Sequence, residues 1–168
     1  MTIIVLAMHG APPNDFPQRE MAEMFGLHAR LEHADGLERA TLERRHVELD
    51  AKMRSWPRSA QNDPFYVGSQ ELAKHLNSTT GYDVIVGFNE FCAPSLDDAF
   101  NQAVTRATEK IIVITPMVTR GGEHAEVDIL SAVRRAQDRY PRIPILYAWP
   151  FETTAVAQFL AAQIDRFA

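Results

Sequence analysis

The sequence lacks the features that would commit it to several large classes of protein. It has one cysteine in 168 residues, Cys92. No internal disulfide can form, so a reducing compartment, the cytoplasm, is expected. No apolar run approaches the ~20 residues that a membrane span requires. The run Ile3-Ile4-Val5-Leu6-Ala7 has no basic residue before it and no cleavage site after it, so no secretory leader is expected. The formal net charge is −5 and no basic stripe stands out, which argues against a nucleic-acid binder that works by general electrostatics. The phosphate-loop pattern G-x-x-x-x-G-K-[ST] and the dinucleotide pattern G-x-G-x-x-G are both missing. So are internal repeats and low-complexity tracts.

What is present is an ordinary globular composition, 46% apolar and 23% charged, in a length that suits one domain with one sizeable core. Four short apolar runs stand out: Ile3–Met8, Val84–Val86, Ile111–Ile114 and Ile145–Tyr147. Rich in Ile and Val and without strict alternation, they suit strands buried on both faces of a parallel sheet. Helical patterns separate them. Leu96, Ala99, Phe100, Ala103, Val104 and Ala107 form one apolar helix face, and Ser95 with Asp98 three residues on reads as its N-terminal cap. A further helix is expected from near Gly122, burying Val127, Leu130, Ala132 and Val133 before Pro141. Another is expected over about 153–167.

The alternation predicts an α/β fold with a four-stranded parallel sheet in the order 2-1-3-4, helices on both faces and right-handed crossovers. Between the first two strands, a helical insertion is expected at about 16–76. Met21–Glu32 and Leu37–Met53 carry helical patterns broken at Asp35-Gly36, and a third helix runs from about Tyr66 to Leu76. Glu38, Arg39, Glu43, Arg44, Arg45, Glu48 and Asp50 read as a solvated face.

In an open parallel sheet, ligands bind beyond the carboxyl ends of the strands. Three strand ends deliver His9, Glu90 and a loop ending in His124 to that edge. Two imidazoles and a carboxylate can bind a borderline divalent metal such as Co²⁺, Fe²⁺, Ni²⁺ or Zn²⁺, and can accept protons near neutral pH. Each also has a structural reading. A histidine after a strand can be a cap, His124 can face solvent in a first helical turn, and Glu90 can favour a helix dipole. Gly121-Gly122 either solves a tight turn or lets backbone N–H groups approach an anion, with Arg120 as a partner. Cys92 reads as a buried packing residue, and His28, His33, His46 and His75 as surface or capping residues. Trp149-Pro150-Phe151 reads as core and turn, or as an aromatic wall for a flat ligand.

Three stretches resemble the small chelatases of cobalamin and sirohaem synthesis, the CbiX and SirB group related to ferrochelatase. They are Ile3 to His9-Gly10, Val86-Gly87-Phe88-Asn89-Glu90 through Pro94-Ser95-Leu96, and Ile111 through Gly121-Gly122-Glu123-His124 to Asp128-Ile129. The resemblance implies an ATP-independent enzyme that inserts Co²⁺, Fe²⁺ or Ni²⁺ into a tetrapyrrole such as sirohydrochlorin. His9, Glu90 and His124 would hold the metal and assist insertion, with His9 chosen as proton acceptor. Gly10, Ser95, Arg120, Gly121 and Gly122 are candidate substrate contacts. No permanently bound cofactor is expected, and a homodimer would close the cleft. Ala11-Pro12-Pro13 departs from the group, which usually has a serine and a basic residue there. The alternative is a carrier that binds metal or tetrapyrrole without turnover, or an α/β domain that binds a phosphorylated small molecule at Gly121-Gly122.

Overall fold

The computed structural model describes residues 1–168 except 32 and 108, and for residue 28 the backbone alone. The expectation for the His28 side chain and the last residue of the predicted 21–32 helix therefore lie outside the described residues. Four parallel strands, β1 (Thr2–Met8), β2 (Asp83–Phe88), β3 (Lys110–Ile114) and β4 (Ile145–Tyr147), form one sheet in the order β2-β1-β3-β4. This is the predicted order. Every residue of central β1 is buried, as its unbroken apolar run requires.

The two sheet faces are packed differently. α4 (Leu96–Arg106) and α5 (Ile129–Arg139) bury Leu96, Ala99, Phe100, Ile129, Ala132 and Val133 against Ile3, Val5, Ile111 and Val113. On the other face α3 (Pro64–Thr80) sets Ala73 beside Leu6, Val86 and Phe88. α1 (Gln18–Leu31) and α2 (Gly36–Arg54) build a separate small core from Met24, Leu27, Leu42, Leu49 and Met53, closed by Phe16. The break falls where Asp35-Gly36 placed it, with Asp35 as N-cap and Gly36 at φ +50°. The charged residues of α2 lie mostly on its exposed side, as read.

The capping box that starts α4 is complete: Ser95 Oγ accepts from the Asp98 N–H at 3.1 Å, and the Asp98 carboxylate accepts from the Ser95 N–H at 3.2 Å. One core assignment needs correction. Val127 is 54% exposed. The buried stripe runs Ala125, Ile129, Ala132, Val133 and Ala136, and Val127, two residues from both Ala125 and Ile129, falls on the opposite side of the helix. The segment His124–Asp128 is a turn of π-helix that leads into α5. α6 (Thr153–Ile164) forms as expected, yet none of its residues is buried.

Candidate functional site at the carboxyl edge of the sheet

Beyond β1 and β2 the chain stays paired. The Asn89 N–H donates to the Met8 carbonyl and the Glu90 N–H to the His9 carbonyl, both at 2.8 Å. Two loops therefore leave the sheet side by side, carrying His9 and Glu90. Gly10 makes this approach possible. It holds φ at +96°, and a β-carbon there would stand 2.0 Å from the Glu90 carbonyl oxygen. Only glycine avoids both the backbone strain and the overlap.

The loop after β3 and the π-turn bring in the third element. His9 Nε2 and His124 Nε2 are 2.9 Å apart, and the rings meet edge to face with centroids 4.2 Å apart. Each ring is held by its other nitrogen. His9 Nδ1 lies 2.7 Å from the Gly10 carbonyl, which can only accept, so Nδ1 carries the proton. His124 Nδ1 lies 2.7 Å from Asp128 Oδ2, and Asn89 Nδ2 donates to the same oxygen at 3.2 Å. With both Nδ1 atoms committed in this way, the two Nε2 atoms face one another. Glu90 Oε2 lies 4.0 Å from His9 Nε2. Glu90, His124 and Asp128 also offer ligand atoms that fall within 4.8 Å of one another. The three predicted residues thus come together from 115 positions of chain, half-exposed at an open edge. Two imidazoles beside two carboxylates are a donor set suited to a borderline divalent cation.

Sequence reasoning missed the residues that hold these loops. Arg54, at the end of α2, donates to the carbonyls of Asn89 and Cys92 at 3.1 and 3.0 Å. Arg58 donates to the carbonyls of Ala11, Met53 and Phe91, and pairs with Asp63 at 2.6 Å, both side chains almost fully buried. Asp63 also caps α3 by accepting from the Tyr66 N–H. Two guanidinium groups from the insertion therefore saturate the loop that presents Glu90. A carbonyl acceptor leaves no trace in a sequence, so nothing there marked either arginine. Asp128 was missed as a site residue although a signal existed: His124 and Asp128 stand four apart on a helical pattern, which puts them on one face.

Cys92 is fully buried, as read, with Sγ 3.5 Å from Asp63, and burial pushes its thiol pKa up. His33 and His75 are exposed, but His46 is not a remote surface residue. It lines a groove of about 260 Å³ beside Glu90, with Met24, Phe25, Asp50, Arg54 and Phe91. α1 and α2 supply one wall of that groove. Phe91, held at φ +59°, meets both His9 and Phe25 with centroids 6.1 and 6.0 Å apart. Trp149 and Phe151 continue a half-buried aromatic series from Tyr147 beyond β4.

The candidate anion contacts have internal partners. The Gly121 N–H and the Arg120 guanidinium both bind the Glu126 carboxylate, at 3.1 and 3.2 Å, and those bonds lower its pKa. Gly121 takes φ +84°, so the turn reading of this pair is satisfied, and Gly122 accepts from the Glu126 N–H. The Ser95 hydroxyl donates to Asp98 at 2.7 Å inside its cap.

Comparisons with known proteins bear on this arrangement. Residues 66–166 match the sequence model of the CbiX family. Over 66 residues the chain is 27% identical to the sirohydrochlorin ferrochelatase of Priestia megaterium, a match covering 39% of this chain and 24% of that protein. Two solved structures are similar. The sirohydrochlorin chelatase SirB from Bacillus subtilis subspecies spizizenii, in complex with cobalt, has 20% identity and a TM-score of 0.43 over 89% of this chain and 43% of that one. A cobalamin (vitamin B12) biosynthesis CbiX protein from Marinobacter aquaeolei VT8 has 16% identity and a TM-score of 0.49 over 99% of both chains. The chain spans less than half the length of the SirB chain and about a quarter of the curated relative it matches.

Proposed function

The chain belongs to the CbiX family, and on that premise we propose that it inserts a divalent cation, Co²⁺ or Fe²⁺ or else Ni²⁺, into a tetrapyrrole such as sirohydrochlorin without ATP. The observation that carries this reading is the 2.9 Å approach of two Nε2 atoms, each ring fixed through its Nδ1, with Glu90 alongside. The metal is a substrate here. It enters at an open edge, is held by His9, His124 and Glu90, and passes to the macrocycle. Asp128 acts through His124: a carboxylate on Nδ1 fixes the orientation of the ring.

Insertion of M²⁺ expels two pyrrolic protons, which a neutral imidazole or a carboxylate must take up. His9 is the assigned acceptor. It ends the central strand, its Nδ1 proton is committed to Gly10, and its Nε2 is vacated as the ion leaves. The groove lined by Phe25 and Phe91 offers a flat macrocycle an apolar wall next to Glu90. In this reading the α1–α2 insertion serves as a pocket wall, and two copies of the chain close the cleft, since a single copy leaves His9, Glu90 and His124 about a third exposed. Gly10 shapes the metal-holding loop. Arg120 and Gly121 would meet a substrate carboxylate only by exchanging it for Glu126.

The test is the absorbance change of sirohydrochlorin on mixing with the protein and Co²⁺, Fe²⁺ or Ni²⁺ in turn, above the uncatalysed rate. Many turnovers per subunit with at least one metal are expected. A single stoichiometric event marks a carrier instead, and no change with any metal removes the chelatase reading.

A further inference from the structure

The groove beside Glu90 is bounded on one side by a polar row of α2. His46, Asp50 and Arg54 recur at four-residue spacing, so they share one face of the helix. That row runs alongside the buried Leu42, Leu49 and Met53, which pack α2 against α1 and hold the face in place. Two of its three members already have assigned partners. Arg54 Nε pairs with the Asp50 carboxylate at 2.7 Å, and its two Nη atoms donate to the carbonyls of Cys92 and Asn89. The Asp50 charge is therefore offset within the row, and Arg54 is committed to the loop that presents Glu90. His46, half-buried, stands farther back along α2, roughly 12 Å from Arg54 along the axis.

We propose that His46 determines specificity for the rim of the substrate: its ring N–H donates to a carboxylate side chain of the tetrapyrrole. The inference rests on the chelatase reading and adds to it a residue that selects a carboxylate-bearing macrocycle. At about 260 Å³ the groove is smaller than the ~300–1,000 Å³ that encloses a whole drug-sized ligand. It therefore takes one rim of a tetrapyrrole, laid against Phe25 and Phe91. In sirohydrochlorin the rim carries acetate and propionate groups, while the ion goes to the centre. A rim carboxylate entering here meets two carboxylates, Asp50 offset by Arg54 and Glu90 turned toward His9. His46 is the groove's other basic side chain, and an imidazole offers an N–H donor whether neutral or protonated. It has no part in holding the ion: the ligand atoms that gather within 4.8 Å among the described residues belong to Glu90, His124 and Asp128.

Titration of the full chain with metal-free sirohydrochlorin tests the proposal. His46→Ala should weaken binding at least 10-fold, as loss of a hydrogen bond to a charged group does. KM for sirohydrochlorin should rise in step, with kcat and Co²⁺ affinity within twofold of wild type. Methyl-esterified sirohydrochlorin, which keeps the ring and loses the charges, should bind wild type and variant alike. An isosteric pair serves if alanine unsettles the fold. His46→Gln keeps an N–H donor and should stay within about threefold of wild type, whereas His46→Glu repels a carboxylate and should lose 10-fold or more. Equal affinity for sirohydrochlorin across these variants overturns the proposal, as does an equal loss toward the ester, which would make His46 a packing residue. A fall in Co²⁺ affinity or in kcat alone overturns it too, by placing His46 with the metal. Failure of the two readings is distinguishable: a wild type that turns over while His46 is indifferent removes only this inference, and a wild type that neither binds nor metallates sirohydrochlorin removes both.

Discussion

His9 Nε2 faces His124 Nε2 at 2.9 Å, with both Nδ1 atoms committed elsewhere, to the Gly10 carbonyl and the Asp128 carboxylate. Two ring nitrogens so placed offer adjacent donor atoms to a cation, as the proposed function requires. Metal–nitrogen bonds of ~2.0–2.1 Å set two tetrahedral ligands roughly 3.3 Å apart. The observed 2.9 Å is a few tenths of an ångström short of that separation, and Asp128 is what holds the His124 ring in place.

Asp128→Asn should therefore weaken metal binding without harming the fold. Asparagine keeps the shape, but it neither carries the carboxylate charge nor holds the His124 tautomer as firmly. Loss of such an outer partner lowers metal affinity about 10- to 100-fold. Asp128 is part-exposed and lies outside the apolar core, so the melting temperature should stay within a few degrees. Calorimetric titration with Co²⁺ checks it. Unchanged affinity would reduce Asp128 to a surface partner of His124.

Gly10→Ala should destabilise the protein and disable the site together. The added methyl would overlap the Glu90 carbonyl and place alanine at φ +96°. Strain of this kind costs about 1–3 kcal/mol before the overlap is counted, and relief requires the His9 and Glu90 loops to part. Urea unfolding and insertion rate should both fall. Wild-type behaviour in both would mean that the loops separate without penalty.

The strands, their order and the convergence of His9, Glu90 and His124 were legible because each rests on local signals: apolar runs, turn residues, and the rule that ligands gather beyond parallel strand ends. The supports of the site were not. Arg54 and Arg58 act on carbonyls 33 to 47 positions away, and backbone acceptors are the same for every residue. His46 looked remote because its place in the groove depends on how α1 and α2 pack, which the solvated face of α2 does not encode. At Gly121-Gly122 the sequence left a tight turn and an anion contact with Arg120 both open, because the approach of Glu126 depends on the π-turn that follows.

Cys92 should be inert to thiol reagents in the native state. It is fully buried, and that burial raises its pKa, so near neutral pH it is a thiol rather than the reactive thiolate. Labelling with a disulfide reagent at pH 7–8 should be slow in buffer and complete within the mixing time in denaturant. Fast labelling of folded protein would mean that the loop around Arg58 and Asp63 opens readily.

Glu90→Gln separates a working carboxylate from a merely structural one. Glu90 stands five residues before the Ser95 cap, and that helix start is already served by Asp98, so a role at the α4 dipole is covered. Its Oε2 instead faces His9 Nε2 at 4.0 Å, and its backbone is pinned through the His9 carbonyl. Glutamine would keep the volume and that backbone bond. It can neither neutralise the metal's charge nor take up a proton. Loss of one such interaction costs about 2–4 kcal/mol in the transition state, or roughly 30- to 1,000-fold in rate. Sirohydrochlorin affinity should change less than the rate, because glutamine keeps the volume of Glu90 in the groove wall and Phe25 and Phe91 are untouched. The melting temperature should also hold, since Glu90 is 39% exposed. Turnover, tetrapyrrole affinity and thermal melting on this one variant decide the matter: a wild-type rate with a lowered melting point would take Glu90 out of the chemistry and leave it as a loop residue.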